Sequence, residues 1–203
     1  MIPLGVLASA RVAAAGGGGG GFEFLAAASP ASAGIRHTFT VPLGEPSADR
    51  TIVVCVVTHS TIGTVTIAGI TATRDVEHLG GSSTRAAVFR ATVPTGTTGD
   101  VVVPIGSSIT RCGVGVYRIG GAVTVASTDT LDPAALTVAV GDFAVACSYT
   151  TSASTTWTGG TRDYILSFSD YHTGASATAA SAGTLTLDAS SSLACAGAAY
   201  RLA

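Results

Sequence analysis

Charged residues are scarce in this sequence. They make up 11% of its 203 residues, whereas about 25% is usual for soluble domains. Lysine is absent, so all ten basic residues are arginines. The formal net charge of -2 gives no electrostatic basis for binding nucleic acid or an anionic membrane. The surface must be rich in Thr, Ser, Ala and Gly, and such a neutral surface favours burial against other proteins or further copies of the chain.

The sequence also lacks a long apolar run and the common catalytic motifs. No stretch of about 18 apolar residues is present, so no insertion into a membrane is expected. A nucleophile elbow, a P-loop and an H-E-x-x-H zinc motif are all missing from the sequence. We therefore expect a protein that has no enzymatic activity and needs no cofactor or metal.

Cysteine is infrequent as well. The four cysteines lie inside predicted strands, at spacings that match no zinc site: Cys55, Cys112, Cys147 and Cys195. This pattern predicts small buried thiols that stay reduced in a cytoplasm. Disulfide bonds are the alternative.

One short pattern is present twice, as C-x-x-x-x-Y-R followed by Ile or Leu, in residues 111–119 and 194–202. Both copies are short and bounded by polar or Gly-rich segments, which predicts β-strands. Alternation along a strand places Cys112 on one face and Tyr117 on the other, and the second copy has the same arrangement. Glycine and alanine in the middle of these strands indicate that another layer or chain approaches closely.

The tyrosines and arginines of this pattern are expected to have structural roles. We predict that the hydroxyls of Tyr117 and Tyr200 are hydrogen-bonded at the strand ends. Arg118 and Arg201 are expected at the rim of the sheet, paired with Asp side chains.

The rest of the chain from residue 31 alternates strand and turn signals. Residues 51–58 form a nearly continuous apolar run, as expected of a strand covered on both faces. About twelve strands, with turn signals every 8 to 12 residues, are typical of a sandwich or barrel. We predict an all-β, antiparallel β-sandwich of jelly-roll-like form over residues 31–203.

Residues 48–57 and 141–149 also resemble each other. Each segment has an acidic residue before an apolar strand with an internal Cys. Either the chain contains a duplication, or these strands occupy equivalent positions in one sandwich. Because the intervening segments differ in sequence, the second interpretation is favoured.

Residues 1–30 are predicted to form an N-terminal arm. An apolar segment is followed by six glycines, residues 16–21, and such a tail lacks fixed structure unless something holds it. A signal peptide is the alternative, but no positively charged region precedes the apolar residues. We expect the arm to be held in a larger assembly, with apolar anchoring residues Ile2, Pro3, Leu4, Val6 and Leu7.

Aromatic residues are few, at 6% of the chain, and several lie together between residues 150 and 172. Trp157 is in a polar, turn-rich stretch, where an exposed ring would stack on a sugar or anchor a contact. A ring folded back over the end of the sandwich is the alternative. The candidate surface for recognition consists of Trp157, Tyr164, Tyr171 and His172.

The N-terminal sequence M-I-P-L-G-V-L-A-S-A, followed by a glycine run and a β-domain, resembles virion proteins of tailed bacteriophages. Residues 48–54, 93–99 and 111–118 are similar to uncharacterised domains from phages and prophages of GC-rich bacteria. The resemblance implies a structural or adhesive virion protein that is made in the host cytoplasm. The arm would be its attachment, and the sandwich would face outward. No functional residue is carried over from these relatives.

We therefore expect a tail-tip or fibre-type appendage present in several copies, with other virion proteins and copies of itself as partners. A glycan of the host surface is a candidate ligand. A capsid decoration or head-fibre protein is the alternative within the same class. A carbohydrate-binding module is a different class, and a sandwich-fold glycan hydrolase would need two acids converging in one cleft.

Overall fold

The structure, a computed structural model, describes residues 21–203. Within this range the chain forms seventeen β-strands, one turn of 3-10 helix at Gly81–Ser83, and no α-helix. The first nine strands are β1 (Phe22–Ala28), β2 (Gly34–Pro42), β3 (Thr51–Thr58), β4 (Thr66–Ile67), β5 (Ile70–Thr71), β6 (Thr73–Leu79), β7 (Arg85–Thr92), β8 (Thr98–Ile109) and β9 (Cys112–Ile119). The other eight are β10 (Val123–Asp129), β11 (Ala134–Val138), β12 (Phe143–Thr150), β13 (Trp157–Thr158), β14 (Thr161–Ser167), β15 (Tyr171–Thr178), β16 (Gly183–Ala189) and β17 (Ala194–Leu202).

The strands form four antiparallel sheets stacked as four layers. The two inner sheets, β1-β9-β3-β7-β6 and β10-β17-β12-β15-β14, pack face to face. The first is covered on its other side by the outer sheet β2-β8-β4-β5, and the second by the outer sheet β11-β16-β13. The predicted all-β class and antiparallel β-sandwich are confirmed. We call the apolar core between the two inner sheets the seam.

The two halves of the chain have the same strand order. The two inner sheets match strand by strand, as β1-β9-β3-β7-β6 and β10-β17-β12-β15-β14. The two outer sheets match in the same way, as β2-β8-β4 and β11-β16-β13. The irregularities repeat too, because register shifts occur in β1/β9 and β10/β17 and again in β6/β7 and β14/β15. This connectivity supports a duplication. The predicted equivalent positions are confirmed, because β9 and β17 each lie second in their inner sheet and β3 and β12 each lie third. The preference against a duplication is corrected, because the whole strand order repeats.

Each C-x-x-x-x-Y-R strand has its Cys and Tyr on opposite faces, as predicted, and the two faces border different cores. In β9, Cys112 faces the core of the first half, whereas Tyr117 faces the seam. Cys195 and Tyr200 of β17 divide in the same way. All four thiols are free and buried, which confirms the predicted burial of the cysteines. The predicted close approach is also confirmed, since Gly115 lies against the ring of Tyr164 in the other half.

The central strands β3 and β12 are buried at every residue because sheets cover both of their faces. Arg50, which directly precedes β3, is fully buried as well. Its guanidinium donates hydrogen bonds of 2.7–2.8 Å to the backbone carbonyls of Gly44, Val93, Thr95 and Gly96. These bonds fasten two loops to the end of the first inner sheet.

The described part of the predicted arm belongs to the sandwich. Residues 22–28 are β1, an edge strand paired with β9. Phe22 stacks on Tyr117 and on Phe143 of the other half, with ring centroids 5.6 and 5.3 Å apart. This strand therefore closes one side of the seam. The predicted anchoring residues, Ile2, Pro3, Leu4, Val6 and Leu7, lie outside the described residues.

Among residues 21–203, no helix has the length and apolar character needed to cross a membrane.

Candidate functional site

The four residues predicted to form a recognition surface do not share one. Trp157 is 9% exposed, and its Nε1 donates a hydrogen bond of 3.0 Å to Oγ1 of Thr173. Tyr164 and His172 are buried in the second half, and their side chains bond to each other. Tyr171 is half-buried at the start of β15. The predicted exposure is corrected for Tyr164 and His172, because their strands turn these side chains toward covered faces. For Trp157 the alternative holds, since its ring is folded back onto the sandwich.

The tyrosines of the repeated pattern bond across the seam. Oη of Tyr117 donates to Oδ2 of Asp163 at 3.0 Å, and Oη of Tyr200 donates to Oδ2 of Asp75 at 2.8 Å. Each Asp lies at the register shift of β14 or β6, the edge strand of the opposite inner sheet. The two bonds are reciprocal, as in an isologous interface between identical subunits. The predicted bonding of both tyrosine hydroxyls is confirmed.

The arginines that end the pattern have different partners. Nε and Nη2 of Arg201 donate to the two carboxylate oxygens of Asp142 at 2.9 and 2.7 Å, which confirms its predicted pairing with Asp. These hydrogen bonds hold the pKa of Asp142 below its ordinary value. Arg118 instead pairs with Glu23, at 3.8 Å. The reason is that Arg118 pairs in register with Ile52 of β3, whereas Arg201 lies beside Asp142, which directly precedes β12.

Replacing either tyrosine that bonds across the seam should weaken the association of the two halves. Tyr200→Phe and Tyr117→Phe should each lower the free energy of unfolding by about 1–2 kcal/mol, because a largely buried carboxylate loses a hydrogen-bond donor. Tyr171→Phe, at a half-buried tyrosine of the same fold, is the matched control and should change it by less than about 0.5 kcal/mol. Urea titration of the purified variants measures both effects. Equal stability of all three variants and the wild type would show that the crossing bonds contribute nothing.

A buried histidine lies against the seam. Nε2 of His172 is 2.8 Å from Oη of Tyr164, and Nδ1 has no hydrogen-bond partner among the described residues. Burial lowers the pKa of His172 to about 3, so the ring is neutral at physiological pH. Gly113 of the other half faces this ring, and a Cβ there would lie 2.6 Å from Nδ1. A general base must lie within hydrogen-bond reach of its substrate. The ring of His172 is fully buried, so no substrate in solvent can contact it.

A cleft of about 240 Å³ opens at one end of the seam. Its ring-bearing walls come from both halves, with the centroids of His59 and Tyr149 6.1 Å apart. These two residues occupy equivalent positions, because each follows the residue that pairs with the cysteine of a repeated pattern. The cleft is lined by His59, Gly81, Thr84 and Arg111 of the first half and by Tyr149, Thr151, Asp170 and Leu193 of the second.

The polar wall of the cleft is an arginine and a carboxylate. Nη1 of Arg111 is 3.8 Å from Oδ2 of Asp170, and Nε donates to Oγ of Ser169 at 2.9 Å. Oη of Tyr149 donates to the same carboxylate oxygen. Burial, together with Asp170, raises the pKa of Tyr149, so this hydroxyl remains a donor at neutral pH. The cleft therefore offers donors and acceptors around a balanced pair of charges.

Known proteins provide no assignment for this cleft. No protein family, no curated protein and no solved structure matches this chain. Among residues 21–203, no group of three or more His, Cys, Asp or Glu side chains is arranged to hold a metal. Glycoside hydrolysis commonly uses two carboxylates, and Asp170 is the carboxylate that lines the cleft within the described part of the chain.

The aspartates that cross the seam were missed by sequence reasoning, although a signal exists. The tripeptide T-R-D is present at residues 73–75 and 161–163. A glycine with positive φ precedes each copy, Gly69 with φ 80° and Gly159 with φ 78°. The spacing from glycine to tripeptide differs by two residues, because the first half carries the additional strand β5.

Proposed function

We propose that this chain is a structural protein of a bacteriophage virion. In this proposal it is a tail-tip or fibre-type appendage, without enzymatic activity, that attaches through residues 1–30 and displays its β-sandwich body outward. The resemblance of its N-terminal segment to phage virion proteins supports the attachment. Three features of the described body support the rest.

The observation that carries the proposal is the polarity of the body. Gly21, where the described body begins, accepts a hydrogen bond of 3.0 Å from N of Gly120, in the connection between the halves. This position is at the end of β9 marked by Ile119, whereas the cleft residue Arg111 lies beyond the opposite end. The eight residues of β9 separate the two ends by about 26 Å. An arm that attaches at one end would present the cleft at the other.

The second feature is the distribution of charge. The ion pairs found in residues 21–203 lie on the inner sheets or at their ends. Strands of the outer sheets carry three charged residues, Arg36, Asp100 and Asp188. Depletion of charge is a property of surfaces that pack against other proteins. The neutral outer faces therefore suit neighbouring copies or other virion proteins.

The third feature is the exposure of apolar side chains beside the outer edge strands. Ile35 of β2 is 64% exposed, and Leu131 and Val140, which flank β11, are 65% and 69% exposed. Strands β2 and β11 are equivalent edges of the two outer sheets. Exposed apolar groups beside a neutral face favour a contact with another protein.

Deleting residues 1–20 tests the attachment. The deletion leaves the described body intact, so the purified variant should unfold at the temperature of the wild type. We expect it to be lost from assembled particles when the gene is replaced in the phage genome. A variant in which residues 1–15 become a Gly-Ser sequence of equal length is the control for arm length, and it should be lost as well. Incorporation at the wild-type level would show that the arm does not anchor the protein.

The alternative, a capsid decoration or head-fibre protein, has the same polarity and differs in location. Electron microscopy of particles labelled with an antibody against the body decides between the two. Label at the tail tip supports the appendage, and label over the head supports the decoration protein.

A further inference from the structure

The cleft collects charged and ring-bearing side chains in a chain that has few of either. Charged residues are 11% of the sequence and aromatic residues 6%, yet Arg111, Asp170, His59 and Tyr149 meet here. One end of a body with few charges is thus a concave surface where several polar side chains converge. Concave sites with a few convergent polar groups are the usual places where small molecules bind.

The two halves contribute different chemistry to this one cleft. His59 and Tyr149 are equivalent in register, yet one is an imidazole and the other a phenol. A simple duplication would supply the same residue from each side. Here one side supplies the carboxylate and the other supplies Arg111, so the cleft is asymmetric. It suits a ligand with distinct edges.

We propose that the cleft binds one neutral sugar ring, with Arg111 and Asp170 holding adjacent hydroxyl groups. A sugar hydroxyl both donates and accepts, so a vicinal pair can donate to the carboxylate and accept from the guanidinium. A charged ligand would be attracted to one member of the ion pair and repelled by the other. The rim side chains His59 and Leu193 would cover the apolar face of the ring.

The size of the cleft sets the size of the ligand. Sites for drug-sized molecules have volumes of roughly 300–1,000 Å³, and this cleft has about 240 Å³. One pyranose ring fits that space, and longer glycans would extend outward from the open mouth. The inference deepens the proposed function, since it names a glycan of the host surface as what the displayed end contacts. Sugar binding is nevertheless a property of the purified chain, so it can fail while attachment to particles succeeds, or the reverse.

The test is a titration of the isotope-labelled full chain, followed by amide NMR shifts. Glucose, galactose, mannose, rhamnose and N-acetylglucosamine are the probes. We expect at least one sugar to shift amides around Arg111 and Asp170, with a millimolar dissociation constant. Asp170→Asn and Arg111→Met should each weaken that binding at least tenfold. Asp188→Asn and Arg36→Met, at charged residues of the outer strands, are the matched controls and should bind as the wild type does.

A second variant leaves Arg111 and Asp170 in place, so that a loss of binding in it is not caused by unfolding around these charged residues. Leu193 is 51% exposed at the cleft, so Leu193→Trp should fill the mouth, leave the body folded and abolish binding. Shifts absent with all five sugars would overturn the proposal. So would shifts that persist in Leu193→Trp or that map around Trp157. Tighter binding of glucuronic acid or inorganic phosphate than of any neutral sugar would show an anion site instead.

Discussion

Gly115→Ala is expected to lower the free energy of unfolding by about 3 kcal/mol. A Cβ at this position would lie 2.3 Å from ring atoms of Tyr164, inside the closed seam. The ring of Tyr164 cannot shift away, because Gly174 packs beside it. A Cβ at Gly174 would be 2.4 Å from the Tyr164 hydroxyl. Chemical denaturation followed by circular dichroism measures the loss. Gly81→Ala is the control, since a Cβ there meets no atom within 4 Å.

A second substitution distinguishes a steric conflict from a backbone effect. The first half has Val76 where the second has Tyr164, one residue after the register shift. Tyr164→Val alone should cost about 3 kcal/mol through the cavity it leaves. In the double variant Gly115→Ala/Tyr164→Val, the added methyl occupies part of that cavity. The combined loss should be smaller than the sum by at least about 1 kcal/mol, and strict additivity would show that the ring is not the obstacle.

Acid should destabilise the protein through His172. Its pKa is about 3 in the folded chain against an ordinary value of 6.5, so below pH 6.5 the unfolded chain binds a proton that the folded chain does not. Stability is therefore lost as the pH falls from 6.5 toward 3. Between pH 6.5 and about 4.5 the loss should be about 2 kcal/mol. Urea titrations at several pH values measure it.

The variant His172→Gln isolates this contribution, because glutamine keeps a polar group beside Tyr164 and does not titrate. Its stability should vary less over the same pH range, by about 2 kcal/mol. Burial also lowers the pKa of His37, despite its hydrogen bond to the carbonyl of Ile109. His37→Gln should therefore remove a smaller part of the acid effect. Burial raises the pKa of Asp75, an opposing contribution that cancels when variants are compared. If the stability of His172→Gln depends on pH as strongly as that of the wild type, the attribution of the acid effect to His172 is contradicted.

Local patterns predicted the strands and the faces of the repeated motif. The continuous apolar run of β3 and the alternation of Cys112 and Tyr117 depend on neighbours in sequence, and both are confirmed. The partners across the seam could not be predicted in this way. Asp163 and Tyr117 are 46 positions apart, and Asp75 and Tyr200 are 125 apart. Which layer covers a strand is decided by such distant pairings.

The same limit explains the aromatic residues. Trp157 lies in a stretch of Thr and Ser that indicates exposure, but the outer sheet and Thr173 enclose its ring. From the sequence, His172 is expected on the recognition surface, yet β15 carries it into the interior. The cleft draws Arg111 and Asp170 together from different halves. Without a division of the chain into two halves, the sequence predicts no interface between them. It therefore could not predict that Arg111 and Asp170 meet there.

Gly21 and the cleft lie at opposite ends of the body, and this has a mechanical consequence. Ala203 also lies at the end where Gly21 begins the described body, and its N donates to the carbonyl of Ala122 at 3.0 Å. The inner strands run from that end toward the cleft. In the proposed function, a pull between a surface held at the cleft and a virion held through residues 1–20 would act along the strands. Such a load stretches many backbone hydrogen bonds in shear at once, which resists rupture far better than opening them one after another.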